Sequence, residues 1–333
     1  MSGEYFSDTG PVPAPPRASA ASRRAVIDVG TNSVKLLVAE VRGVDVSPVL
    51  ERSEQTRLGR GFYPSHVLDA TAIADTARAV AEFSAVAKEH GAAPLRVLGT
   101  SAARDARNAA DLARAVRELS GLPLEVITGE QEADFAFCGA CTDPALASAP
   151  LLILDAGGGS TEFIVGRGGR RHFAHSYPLG SVRLLEGTRL DDPPTASQRA
   201  AARAGIRSFL EQQVRADVQA ALAAAGGAGP VTFVGTGGAA TILARMEQRM
   251  ADFDRARIEA TRLPRAAVCE WTERLWRLPL AARREVPGLP PKRADVILFG
   301  AAIFEAVMEC FALPELRVST RGLRFGALLG DTA

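Results

Sequence analysis

Three short turns rich in glycine and hydroxyl residues follow apolar runs in this chain: Gly30-Thr31-Asn32-Ser33, Gly157-Gly158-Gly159-Ser160-Thr161 and Gly235-Thr236-Gly237-Gly238. Glycine lets the backbone take conformations closed to other residues and bring several N–H groups onto one anion. The hydroxyls of Thr31, Ser33, Ser160 and Thr161 add donors with little bulk. One such turn is what an ordinary hairpin uses. Three of them, two preceded by an aspartate at the strand end (Asp28 and Asp155), point to a bound phosphate. A carboxylate beside a phosphate repels it unless a cation lies between, so the two aspartates imply Mg²⁺ or Mn²⁺. Glu162, on the strand returning from Asp155, could reach the same ion. The plainer reading is that these acids only cap turns.

Two further side chains have chemical potential. Glu132 falls in the first turn of an expected helix, where an acid also interacts favourably with the helix dipole for structural reasons alone. Arg104 follows a strand in a Thr-Ser-Ala-Ala loop. Its planar guanidinium could grip two phosphate oxygens, or simply face solvent.

Something must hold these residues together. Ala25-Val26-Ile27 runs into the first turn and Val34 to Ala39 runs out of it, which predicts a β-hairpin. A third strand is expected from Pro48 to Leu58, then a helix from Thr71 to His90, a strand at Leu95 to Leu98 and a loop from Gly99 to Asp105. The order recurs around Asp155: strand, turn, strand, a third strand ending at Leu179-Gly180, and a short helix. Aligning Asp28 on Asp155 brings Leu58-Gly59 close to Leu179-Gly180, so a duplicated unit is expected, giving two α/β domains that face each other. The boundaries are set at 1–22 for a Pro- and Ala-rich disordered leader, 23–135 for the first domain and 136–333 for the second, with the lobes joined near Ala133 to Phe137. The segment around Trp271 and Trp276 reads as an amphipathic helix without chemistry.

The bulk composition excludes several function classes. At 333 residues, 47% hydrophobic and 23% charged, the chain is globular and long enough for two cores. A formal net charge of +1 gives no field that would advertise DNA, RNA or a membrane. No apolar run approaches the roughly 18 residues of a membrane span, and a cytoplasmic protein is expected. Four cysteines make no disulfide framework, and Cys138 with Cys141 lacks the partners of a zinc site. Lysine occurs only at 35, 88 and 292 amid abundant arginine, a bias consistent with genomic base composition.

Taken as an ordered set, the segments AVIDVGTNSVKLLVAEV, GTSAARDARNAADL, VITGEQEADFAF, LILDAGGGSTEFIVG, YPLGSVRLLE, RADVILFGAAIFEAVME and VSTRGLRFGALL resemble the exopolyphosphatase and guanosine-pentaphosphate phosphohydrolase (Ppx/GppA) family. The resemblance implies two ribonuclease-H-like domains of the actin, Hsp70 and sugar-kinase superfamily, with an active-site cleft between them. It implies that Glu132 activates the attacking water. It implies phosphate held by Asn32, Ser33, Arg104, Gly157, Gly158, Gly159, Ser160 and Thr161 and a divalent ion by Asp155 and Glu162; the turn chemistry above adds Thr31, Gly237 and Gly238 to the phosphate site and Asp28 to the ion. The substrate would be polyphosphate or guanosine pentaphosphate (pppGpp); homodimerisation is left open.

Relatives often carry an acid where this chain has Gln131, which is expected to change local charge and metal affinity. The chain also ends without the C-terminal helical extension of longer members, which weighs against processive digestion of long polyphosphate. A kinase of the same superfamily and a non-catalytic sensor of guanosine phosphates are the rival readings.

Overall fold

The computed structural model describes residues 21–226 and 230–330, so the leader expected at 1–22 lies outside the described residues except at its end, where Ser22 already stands in the first strand. The first sheet has the order β3-β2-β1-β4-β5, built from β1 (Ser22–Val29), β2 (Val34–Arg42), β3 (Asp45–Glu54), β4 (Leu95–Gly99) and β5 (Glu125–Val126). The second has the order β10-β11-β9-β6-β7-β8, built from β6 (Pro150–Ala156), β7 (Thr161–Arg167), β8 (Arg170–Tyr177), β9 (Thr232–Thr236), β10 (Arg262–Pro264) and β11 (Glu315–Val318). In each, a three-strand antiparallel meander continues through its first strand into parallel partners: β1 onto β4 and β5, β6 onto β9 and β11. The duplicated unit is therefore real at the level of topology.

The central strands are apolar almost without alternation because both faces are covered. Along β1, Ala25, Ile27 and Val29 pack on the side of the helix Ala70–Glu89, while Val26 packs with Phe325 and Leu328 on the other. Those last two come from the helix Leu323–Leu329, so the end of the described chain returns to cover the first sheet. The helix Gly129–Cys141 serves both lobes, giving Phe135 to the first core and Ala133, Ala136 and Phe137 to a cluster with β6 and β7. The division at 135/136 falls inside this unbroken helix. The helix Arg265–Arg277 buries Trp276 in the core of the second lobe. No helix among the described residues is long and apolar enough to cross a membrane.

Three local expectations change, the first being that the third strand of the second unit ends at Tyr177 rather than Leu179-Gly180. The third strand of the first unit ends at Glu54 rather than Leu58, because Arg57 adopts a positive φ of 53° and its N–H turns back to the Asn32 carbonyl at 3.1 Å. The expected loop after Gly99 is a short helix, Ser101–Asp105, closed by the Arg104 N–H on the Thr100 carbonyl at 2.9 Å.

Candidate active site

The two hairpins place their aspartates in matching positions. Asp28 on β1 pairs with Lys35 on β2, and Asp155 on β6 pairs with Glu162 on β7 and, on its other side, Thr236 on β9. Each following turn is closed by the same bond, Gly30 N–H to the Ser33 carbonyl at 3.1 Å and Gly157 N–H to the Ser160 carbonyl at 3.0 Å. The aligned pair Gly59 and Gly180 also behaves alike: a side chain at Gly59 would strike Thr31, and one at Gly180 would strike the backbone of Gly158 and Gly159. Glycine is thus required twice for the close approach that seats each turn.

The turns face each other. A carbon added at Gly158 would come to 3.1 Å from Thr31 Cβ, and one at Gly159 to 2.8 Å from Thr31 Oγ1. Both turns and the third one, through Gly237 and Gly238, line a single cavity of about 570 Å³ between the lobes. Gly237 has a φ of +82°, and any side chain there would press on the Asp155 carboxylate. Side chains clasp the lobes across the cleft: Arg293 donates to Ser33 Oγ at 2.6 Å, Arg57 pairs with Asp295 at 2.7 Å, and Arg183, steadied by the Gly159 carbonyl of its own lobe at 2.8 Å, reaches Asp105 at 3.0 Å.

Beside Glu51 and Glu54 on β3, four further carboxylates line this cavity: Asp28, Glu132, Asp155 and Glu162. Glu132, only 9% exposed, accepts from Arg104 Nη1 at 3.0 Å. Burial pushes its carboxyl up to about 7, against the pull of Arg104. Glu162 accepts from Ser160 Oγ at 2.8 Å and Ser176 Oγ at 2.7 Å; burial, then Glu132 and Asp155, hold it well above the usual range. Burial also raises Asp28 and Asp155, with Lys35 opposing in both cases.

Most of the expected site residues meet here. Thr31, Asn32, Ser33, Gly157, Gly158, Gly159, Ser160, Gly237 and Gly238 line the cavity together with the four acids. Thr161 does not: it is fully buried and its hydroxyl donates to the Leu179 carbonyl, so it anchors the turn from behind. Arg104 stands behind Glu132 rather than in the cavity wall, held also by the Ile127 carbonyl at 3.0 Å. Gln131 faces away as well. Its side chain accepts the Thr128 N–H at 2.9 Å while Thr128 Oγ1 accepts the Gln131 N–H, a capping box that fixes the first turn carrying Glu132.

Several cavity residues were not found from local sequence: Lys35, Ser101, Lys292, Arg293 and Arg324. Lys35 had a signal. It stands as far from Asp28 as Glu162 does from Asp155, and it is one of three lysines in the chain, two of which line this cavity. Burial lowers its pKa, with Asp28 acting in the opposite sense. Arg293 also feels burial, which brings it down to about 10.

The carboxylate set suits a hard divalent cation, being all oxygen and anionic. Two donors, Asn32 Nδ2 and Ser101 Oγ, are buried without a partner among the described residues, whereas Asn32 Oδ1 accepts from Gln55 at 3.1 Å. The ligating atoms of Asp28, Asp155 and Glu162 do not draw within 4.8 Å of one another. Among the described residues only Cys269, Glu305 and Glu309 form a group that tight. Those three lie outside the cavity, and Arg203 and Arg207 already neutralise the two glutamates at 3.0–3.2 Å. The wider spacing in the cleft fits an ion whose shell is completed by water and substrate oxygens, as Mg²⁺ prefers.

A family model described as the Ppx/GppA phosphatase family matches residues 37–333. The chain belongs to this family. It is 35% identical over 329 residues to Exopolyphosphatase 2 of Mycobacterium tuberculosis, covering 93% of this chain and 98% of that one. Exopolyphosphatase 1 of the same organism is 29% identical over 308 residues, covering 92% and 87%. The solved Ppx/GppA family member of Aquifex aeolicus superposes with a TM-score of 0.75 at 30% identity, over 94% of this chain and 98% of that one. An exopolyphosphatase from Cytophaga hutchinsonii, with a TM-score of 0.81 and 23% identity, shares the fold. The family's two-lobed α/β architecture and phosphatase character are thereby those of this chain.

Proposed function

We propose that this phosphatase releases the terminal phosphate of inorganic polyphosphate by attack of water, with Glu132 as general base. The observation that carries the reading is the placement of Glu132: a buried carboxylate, steered by Arg104, opening onto the one cavity where both hairpin turns converge. The names of the mycobacterial relatives support polyphosphate as the substrate class.

Phosphoryl transfer depends mostly on positioning and charge stabilisation. The opposed turns present backbone N–H groups and the hydroxyls of Thr31 and Ser160 to the terminal phosphoryl group, and Asn32 Nδ2 and Ser101 Oγ are free to donate to it. Lys35 and Arg293 bring positive groups to the same cavity, as does Arg324, which is already paired with Glu51 at 3.1 Å. Asp155 and Glu162, with Asp28 opposite, would hold Mg²⁺ or Mn²⁺. When bound, that ion neutralises the phosphate oxygens that the carboxylates would otherwise repel. Glu132 takes a proton from the in-line water as the new P–O bond forms, and the bridging P–O bond breaks with its oxygen on the shortened chain. Because Glu132 must be ionised to act, turnover is expected to rise with pH through about 7.

The apolar side chains Ile242, Phe253 and Ile297 beyond the third turn offer a surface for a guanine ring, so pppGpp is the second substrate to test. Phosphate release with Mg²⁺ or Mn²⁺ should be measured side by side on short polyphosphate, long polyphosphate, pppGpp and ATP. Glu132→Gln should lower turnover on the best of them by about 10²- to 10⁴-fold with binding nearly intact. Undiminished hydrolysis by that variant would remove Glu132 from the role, and no release from any substrate would favour a sensor.

A further inference from the structure

A second cavity of about 460 Å³ lies behind the first, lined by Arg104, Arg183, Glu130, Ala174, His175 and Pro178 among others. Ser101 and Ser160 belong to both linings, and the buried Ser101 hydroxyl stands on this partition without a hydrogen-bond partner among the described residues. Beside it, Glu132 faces the first cavity only and Arg104 the second only, 3.0 Å apart. This ion pair thus has one partner on each lining.

In-line displacement makes this arrangement consequential. Water must attack from the side of Glu132, opposite the bridging oxygen, so the shortened chain remains in the first cavity while the new orthophosphate forms against the partition. From there the first cavity is blocked by the remaining chain. Resting on the hydrolytic reading above, we infer that the second cavity is a separate passage through which attacking water arrives and orthophosphate leaves. Its charges suit transit rather than retention: two guanidiniums, Arg104 and Arg183, are set against Asp105, which Arg183 already holds at 3.0 Å, and Glu130, which is exposed. An anion passing there meets hydrogen-bond donors without a strongly positive trap.

The test is to plug the passage from its outer rim. Glu130 and Pro178 are both exposed, on different elements, and neither belongs to the catalytic machinery. Glu130→Trp and Pro178→Trp, with Glu130→Gln as control, should be compared on the preferred substrate in single-turnover and steady-state experiments. The passage predicts unchanged single-turnover cleavage and steady-state turnover lowered about tenfold, because product release becomes limiting. Orthophosphate should inhibit the plugged variants more strongly than the parent or the glutamine control. Steady-state rates equal to the parent, or a fall matched by an equal fall in single-turnover cleavage, would overturn the inference. A parent protein that cleaves nothing in single turnover would instead overturn the hydrolytic reading itself.

Discussion

The hairpin of the first lobe and the hairpin of the second lobe are copies of one design with one charge reversed. Both carry an aspartate at the strand end, the same turn closure and the same glycine contact from a following segment. Where the second lobe sets Glu162 across from its aspartate, the first sets Lys35. A symmetric pair of acidic hairpins would gather still more negative charge around a polyanion and demand more metal to neutralise it. Under the proposed reading, the asymmetry would let the second lobe hold the cation while the first sets the Lys35 ammonium beside its aspartate, with a single phosphoryl group between them.

Breaking the acidic side should have the largest effect. Glu162→Gln removes a proposed metal ligand together with the acceptor for Ser160 and Ser176. Its cost in kcat/KM should exceed the 10- to 100-fold typical of residues that only support a metal ligand, and calorimetry should show weaker Mg²⁺ or Mn²⁺ binding. Raising the metal concentration should recover part of the activity.

Removing the cationic side should be milder and opposite in its effect on the metal. Lys35→Met should lower kcat/KM on polyphosphate by about 10- to 100-fold, the range expected from losing one charged donor. The same variant should bind the divalent ion more tightly, because the positive charge nearest Asp28 is gone. Tighter binding in Lys35→Met beside weaker binding in Glu162→Gln would confirm the division of labour; weakening in both would abolish it.

The smallest effect concerns stability. Burial raises Asp28, Glu132, Asp155 and Glu162 above the values of about 4 that carboxyls have in an unfolded chain. Between pH of about 4 and 7 the folded protein therefore keeps protons that the unfolded chain has lost, and these groups favour folding less as pH rises through their folded values. Thermal melts of the metal-free protein should show Tm falling across that window, with a shallower slope in Glu162→Gln and little slope under saturating Mg²⁺. A Tm that climbs with pH at these acids' expense, in both proteins alike, would contradict the raised carboxyls.

Much of this was legible from residue order. The turns after Asp28 and Asp155 announced themselves through glycine and hydroxyl content, and the duplication through the matched pair Gly59 and Gly180. Glu132 was legible only through family likeness, since an acid in a first helical turn is ordinary. Thr161 was misplaced because alternation along a strand decides whether a hydroxyl faces the cavity or the core, and the turn's exit sets that phase. Arg104 was placed on the phosphate, while the structure sets it on Glu132. Lys292, Arg293 and Arg324 were missed because they arrive from segments remote in sequence, where one arginine of 36 carries no local mark.

The order of residues by itself determined two α/β units, the turns able to cradle an anion and the acids at their strand ends, because these rest on backbone periodicity and on the conformational freedom of glycine. Only the tertiary structure decided that the turns oppose each other, that Lys35 shares one cavity with both aspartates, and that the Arg104 partner of Glu132 lines a second cavity. Those facts depend on how two sheets pack through one shared helix, and distances between lobes are not encoded in any local run of side chains.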